Sequence, residues 1–223
     1  VGLDPSIESK PPESRRPSTS DVAMHCFTCT GDACRPDEPA SGCAAPAADR
    51  ARFASGEIDL TGDGIPETVR LTGSQVLVEE SGVEVWRSPA HWEVVDVALG
   101  DPNDDGRAEI AMAFWRENDD GVRGSHPFVV GYREGRYRTL WGGSAVVDPI
   151  RELALGDVNG DHREELVVLE SRGAQSTVTV WRWHGWGFSL IWRSESDAYR
   201  DLVILAGEGN TPDTIGVTVV TAP

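Results

Sequence analysis

The sequence predicts an all-β fold. Three observations carry that prediction: short strand-like runs fill most of the chain, no capped segment sustains the helical apolar period, and one acidic turn recurs between strands. From about Ala51 onward, apolar or alternating stretches are broken by Gly, Asp, Asn and Pro. They begin with TVRL at Thr68, QVLVEE at Gln75, VEVW at Val83, EVVDVAL at Glu93 and EIAMAFW at Glu109. FVVGYR at Phe128, ELALGD at Glu152, ELVVLE at Glu165, TVTVWRW at Thr177 and LVILAG at Leu202 follow. Alternation puts every second side chain on one sheet face, and fully apolar runs suit strands covered on both faces.

Residues 1–50 have a different texture. Pro5, Pro11, Pro12 and Pro17 stand among Ser, Glu and Arg with almost no large apolar side chains. Such a stretch cannot bury enough surface to offset its ordering entropy. The expected organisation is therefore an extended Pro-rich N-terminal tail over 1–50 and a β domain over 51–223. The tail holds all four cysteines, Cys26, Cys29, Cys34 and Cys43, within its 26–43 segment. An even count in a short, loop-like segment favours two disulfides and an oxidising compartment. Zn²⁺ is the weaker rival. His25 lies adjacent, but the second half of the cluster lacks the CxxC or His pair that structural zinc sites use.

The net charge of −17 argues against nucleic acid or anionic lipid as the main partner and makes cations the natural counterpart. No apolar run approaches the roughly 18 to 20 residues of a membrane-spanning helix. The chain begins at Val1, which reads as a processed form or a truncated record. Attachment to a membrane through a partner, or through a removed or lipidated leader, stays open.

The recurring turn has three copies in register. Its oxygen-bearing side chains fall at positions 1, 3, 5 and 9: Asp59, Thr61, Asp63 and Glu67; Asp101, Asn103, Asp105 and Glu109; Asp157, Asn159, Asp161 and Glu165. Calcium is a hard ion that takes six to eight oxygens at about 2.3 to 2.6 Å, and alternate side chains converge on the inside of such a turn. Position 6 is Gly64, Gly106 or His162, and it must bend sharply. The backbone carbonyl at position 7 (Ile65, Arg107 or Arg163) and the carboxylate at position 9 then complete the shell. About three Ca²⁺ sites are expected, because magnesium prefers to keep its water.

An EF-hand shares this opening but needs a Glu at position 12 on an exiting helix, where this chain has Arg70, Met112 and Val168 ahead of strand-forming residues. Acidic β-turns occur without any metal, since Asp, Asn and Gly are common turn residues. Three copies, each ending in an acid just before an apolar strand, favour the ion.

The stretches DLTGDGIPETV, GDPNDDGRAEIAM and GDVNGDHREELVV resemble the FG-GAP, or VCBS-type, repeats of integrin α-subunit propellers and many exported bacterial proteins. The resemblance covers about residues 52–223 and lies in the loops rather than the strands. It implies a β-propeller-like array of about three to four four-stranded blades, with each acidic loop joining the first two strands of a blade around Ca²⁺. Copy starts about 42 and 56 residues apart suit blades of four short strands. Copy one departs from the pattern at Thr61 and copy three at His162, so copy two is expected to bind best. Near Tyr199 a fourth unit begins, whose Glu208, Asn210 and Asp213 are out of register; it is assigned no metal. Either the last blade borrows a strand or the domain completes itself against another chain, and the tail is one candidate cover for the open edge.

Eight tryptophans are many for this length. Trp181, Trp183 and Trp186 cluster with His184 and Phe188, which suggests a sugar-stacking platform or, more simply, packing between blades. No HExxH, GxSxG, P-loop or dinucleotide-binding glycine motif is present. The expected function is a non-enzymatic, extracytoplasmic calcium-binding propeller that acts as an accessory or adhesion subunit for protein partners. A polysaccharide-binding or lyase-like protein is the alternative.

Overall fold

In the computed structural model the described residues are 22–37, 53–117, 121, 123–143 and 148–220. Sixteen strands and no helix occur among them. Two lie in the cysteine segment, β1 (Val22–Thr30) and β2 (Ala33–Pro36). The first blade follows with β3 (Ser55–Ile58), β4 (Glu67–Thr72), β5 (Gln75–Glu80) and β6 (Val83–Arg87). β7 (Glu93–Gly100), β8 (Glu109–Glu117), β9 (Arg123–Arg133) and β10 (Arg136–Gly142) make the second. The third is β11 (Ile150–Gly156), β12 (Glu165–Arg172), β13 (Gln175–Trp183) and β14 (Phe188–Arg193), after which come β15 (Tyr199–Leu205) and β16 (Thr214–Val220).

The first three blades are antiparallel meanders in chain order. The fourth sheet runs β15-β16-β1-β2, so its two outer strands come from the other end of the chain. Val22 through Phe27 pair with Val220 through Ile215 in register, and Phe27 through Thr30 pair with Pro36 through Ala33. This corrects the expected boundary at residue 50: residues 22–36 belong to a blade, while 1–21 and 38–52 lie outside the described residues. The physical reason is a two-residue alternation on a short strand. Phe27 and Cys29 are buried on the face turned to the third blade, where Phe27 packs 5.2 Å from Trp192 and 5.9 Å from Tyr199 between ring centroids. The edge that β16 would otherwise expose is thereby paired.

Cys29 and Cys34 form a disulfide across the β1–β2 hairpin, and Cys26 is likewise disulfide-bonded, which removes these sulfurs from thiolate chemistry. The fourth candidate, Cys43, lies outside the described residues.

Hairpin turns follow the residues that permit them. Ser81–Gly82 and Glu134–Gly135 both carry positive φ at their two central positions, the geometry whose twist matches paired strands.

Three apolar clusters fill the spaces between consecutive blades. Val69, Val76 and Val78 meet Ile110, Met112 and Phe114 between the first and second blades. Ala111, Ala113 and Val129 meet Leu153, Leu166 and Val168 between the second and third. Val167, Val178 and Val180 meet Phe27, Leu202 and Val217 between the third and fourth. Along a central strand such as β8 every residue from Glu109 to Phe114 is buried, because both faces are covered. β7, β11 and β15 are the first strands of their blades, and with Phe53, just ahead of β3, they line a common cavity of about 500 Å³ through Leu99, Leu155 and Ile204. The blades are thus arranged around one axis, as in a propeller.

Candidate metal centre

Each acidic loop joins the first two strands of its blade, β3 to β4, β7 to β8 and β11 to β12. Their backbones repeat. Position 4 (Gly62, Asp104, Gly160) and position 6 (Gly64, Gly106, His162) are left-handed in all three copies, with φ between 55° and 86°. His162, at φ 68°, holds this conformation without being glycine, the strain expected from its departure at position 6.

The position-1 carboxylate organises each loop by accepting backbone N–H groups. Asp59 accepts from Gly62 at 2.7 Å and Gly64 at 2.8 Å. Asp101 accepts from Asp105 at 3.1 Å and Gly106 at 2.8 Å. Asp157 accepts from Gly160 at 2.7 Å, Asp161 at 3.1 Å and His162 at 2.9 Å. The Gly64 N–H, aided by Gly62 and others, holds Asp59 below the usual carboxylate range. Position 5 repeats the device on the next turn: Asp63, Asp105 and Asp161 accept the N–H of Ile65, Arg107 and Arg163 at 2.8, 3.2 and 3.0 Å.

Position 9 is the buried floor. Glu67, Glu109 and Glu165 are at most 1% exposed at the starts of β4, β8 and β12. Glu67 is fully engaged, accepting from Leu60 N at 2.7 Å and from Thr61 Oγ1 at 3.1 Å. Glu109 and Glu165 each keep one buried oxygen, Oε2, without a hydrogen-bond partner. Burial, opposed in part by Arg133, pushes Glu109 up to about 7. Burial also pushes Glu165 up to about 7, with the charge of Asp161 adding to it.

Position 3 serves the loop backbone and the floor. Asn103 and Asn159 accept from Asp105 N at 3.0 Å and Asp161 N at 2.8 Å, and Asn159 also donates to Glu165. In the first loop one oxygen each from Asp59, Asp63 and Glu67 lies within 4.8 Å of the others, close enough for one ion to touch all three.

Two arginines that reading the loops alone did not single out complete the picture. Arg133, at the end of β9, donates through Nη2 to Asp105 and, at 2.5 Å, to Glu109 Oε1. Arg182, on β13, lies 3.7 Å from Asp161 Oδ2 and 3.6 Å from Glu165 Oε1, and its Nη2 is 2.6 Å from Asp32 in the β1–β2 turn. Sheet register brings them there: Gly131, two residues before Arg133, pairs with Glu109, and Trp181, next to Arg182, pairs with Leu166. Asp213, in the fourth unit, receives Gly207 N at 3.0 Å and Asp157 N at 3.1 Å, which makes it a bridge between blades.

No protein-family model and no curated protein matches the chain. A solved structure does. The chain is similar to the exotype rhamnogalacturonan lyase YesX, with a TM-score of 0.52 at 14% identity over 73% of this chain. It spans 38% of the length of that structure, and the likeness is one of β fold.

The tryptophans divide. Trp181 and Trp183 are half-buried against the core between the second and third blades, and Phe188 is buried there beside Trp141 at 5.0 Å. Trp186, at the tip of the β13–β14 turn, is 78% exposed.

Proposed function

We propose that this chain is a calcium-stabilised, non-catalytic β-propeller module that works outside the cytoplasm as a binding or accessory subunit, with its three acidic loops as structural metal sites. The observation that carries the reading is the pair of buried glutamates, Glu109 and Glu165, each with an orphaned carboxylate oxygen beside two further acids. A buried carboxylate without a full set of partners is costly, and a divalent cation is the partner that also suits the loop acids. The resemblance to FG-GAP repeats points the same way. The Cys29–Cys34 disulfide favours an oxidising compartment, and among the described residues no helix is long and apolar enough to cross a membrane. The test is calorimetric melting of chelator-treated protein with and without millimolar Ca²⁺. A Tm that rises with calcium concentration supports the reading, and an unchanged Tm contradicts it.

Polysaccharide binding, or a lyase-like activity, is a second reading, and Trp186 favours it. Its ring stands free between Gly185 and Gly187, while His184 N–H donates to Gly187 O at 2.9 Å and closes the turn beneath it. A flat, exposed indole on a fixed turn suits stacking on a sugar ring. Titration with pectin-derived oligosaccharides tests this: heat of binding lost in Trp186→Ala supports it, and no heat with the wild type contradicts it.

A further inference from the structure

The three loops share a backbone but not an electrostatic setting. In the second loop the position between Asp105 and Glu109, which an ion bridging positions 5 and 9 would take, is held by the Arg133 guanidinium through hydrogen bonds to both carboxylates. Arg133 is itself anchored, since Nη1 donates to Tyr132 O at 2.9 Å and the side chain is only 18% exposed. The guanidinium satisfies Glu109 incompletely, leaving Oε2 buried and unpartnered in a residue that is 0% exposed. Arg182 stands more loosely in the third loop, at 3.6 to 3.7 Å from Glu165 and Asp161 and drawn off by Asp32. In the first blade the corresponding end of β5 carries Glu79 and Glu80, and Arg70 pairs outward with Glu79 at 3.0 Å.

We infer that Arg133 is a built-in competitor for the second metal site: a divalent cation enters that loop only by displacing the guanidinium, so the loops bind in graded order with the first the tightest. This rests on the calcium reading above. The cation and the guanidinium compete for the same two carboxylates, Asp105 and Glu109. A divalent ion has the advantage that it can also engage the orphaned Glu109 oxygen. The arrangement lets the second loop keep its shape at low calcium, because a positive charge is always present. It also reverses the ranking expected from residue types alone, in which the second copy matches the repeat pattern best.

The experiment is calorimetric titration of chelator-treated full chain with CaCl₂ at fixed ionic strength. Arg133→Met keeps the aliphatic stem and removes the charge; Arg133→Gln is the second variant should Met disturb folding. The inference predicts a site whose Kd falls tenfold or more in either variant, and whose gain disappears when Asp105→Asn is added. Wild type with Asp63→Asn should lose its tightest site, while wild type with Asp105→Asn should keep it. Equal affinities at all sites, unchanged within twofold by removing Arg133, would overturn the inference and leave the calcium reading standing. No calcium heat from wild type or any variant would overturn both.

Discussion

The side chain of Glu164 accepts a hydrogen bond from the backbone N–H of Asp101 at 2.7 Å, tying the third blade to the first residue of the second blade's loop. Asp213 does the same one blade later with Asp157 N. Each acid sits over a glycine that precedes the loop. A Cβ on Gly100 would lie 2.1 Å from Glu164 Oε2, and one on Gly156 would lie 2.9 Å from Asp213 Oδ2. At the first junction the glycine is replaced by Ile58 and the acid by Ala108, and both pack into the apolar cluster instead. The chain thus uses matched pairs, glycine with acid or isoleucine with alanine.

Gly100→Ala should therefore destabilise by about 1 kcal/mol, because the added methyl pushes the Glu164 carboxylate off the Asp101 N–H. Adding Glu164→Ala should recover part of that loss, giving a non-additive double-mutant cycle in urea unfolding. Additive losses would show that the two positions are not coupled.

His162→Gly should raise stability by up to about 1 kcal/mol, because it removes a side chain from a left-handed backbone while Asp157 still accepts the residue 162 N–H. The shift in urea midpoint at constant slope measures it. A lower midpoint would mean that the His162 side chain, 3.7 Å from Asp157, contributes more than its backbone costs.

Glu109 and Glu165 each sit near a pKa of about 7 in the folded chain, against 4.5 for the free group. A raised folded value means that the folded state holds these protons more tightly than the unfolded chain. Their contribution is fully present below about pH 4.5 and is lost as pH rises through about 7. Chelated protein should accordingly show a Tm that falls across that window, and Ca²⁺ should flatten the fall because it binds the deprotonated form. A Tm that climbs from pH 5 to 7 in chelator would contradict this.

Phe27→Ala should cost about 3 to 5 kcal/mol, as expected for a large ring lost from a closed core, since Phe27 is 3% exposed between Trp192 and Tyr199. Trp186→Ala, at an exposed turn, should stay within about 0.5 kcal/mol. If the two variants melted alike, the cysteine segment would not be closing the fourth blade.

Much of this architecture could be read from the chain because it is local. Strands such as Glu109–Glu117 and Glu165–Arg172 carry long apolar runs, and the loops keep their oxygen donors in register whatever surrounds them. The fourth blade was legible only in part: a unit starting near Tyr199, a borrowed strand and the tail as a cover were expected, but not which tail residues pair with β16. β1 offers one large aromatic, Phe27, inside a segment otherwise rich in small and polar residues, and its partner β16 lies at the far end of the chain, a pairing that loop-local patterns do not encode. The arginines were missed for a similar reason. Arg133 stands 24 residues from Glu109, and only the sheet register brings the two together. Nothing in the loop pattern marks Glu164, because its acceptor role depends on Asp101 of the neighbouring blade.

The most direct test of the account is a crystal structure of the chain grown in several millimolar CaCl₂, with anomalous data collected to locate the ion. An ion is expected between Asp59, Asp63 and Glu67, with carboxylate oxygens at about 2.3 to 2.6 Å from it. Density for water alone in that loop, with the three acids turned outward, would contradict it.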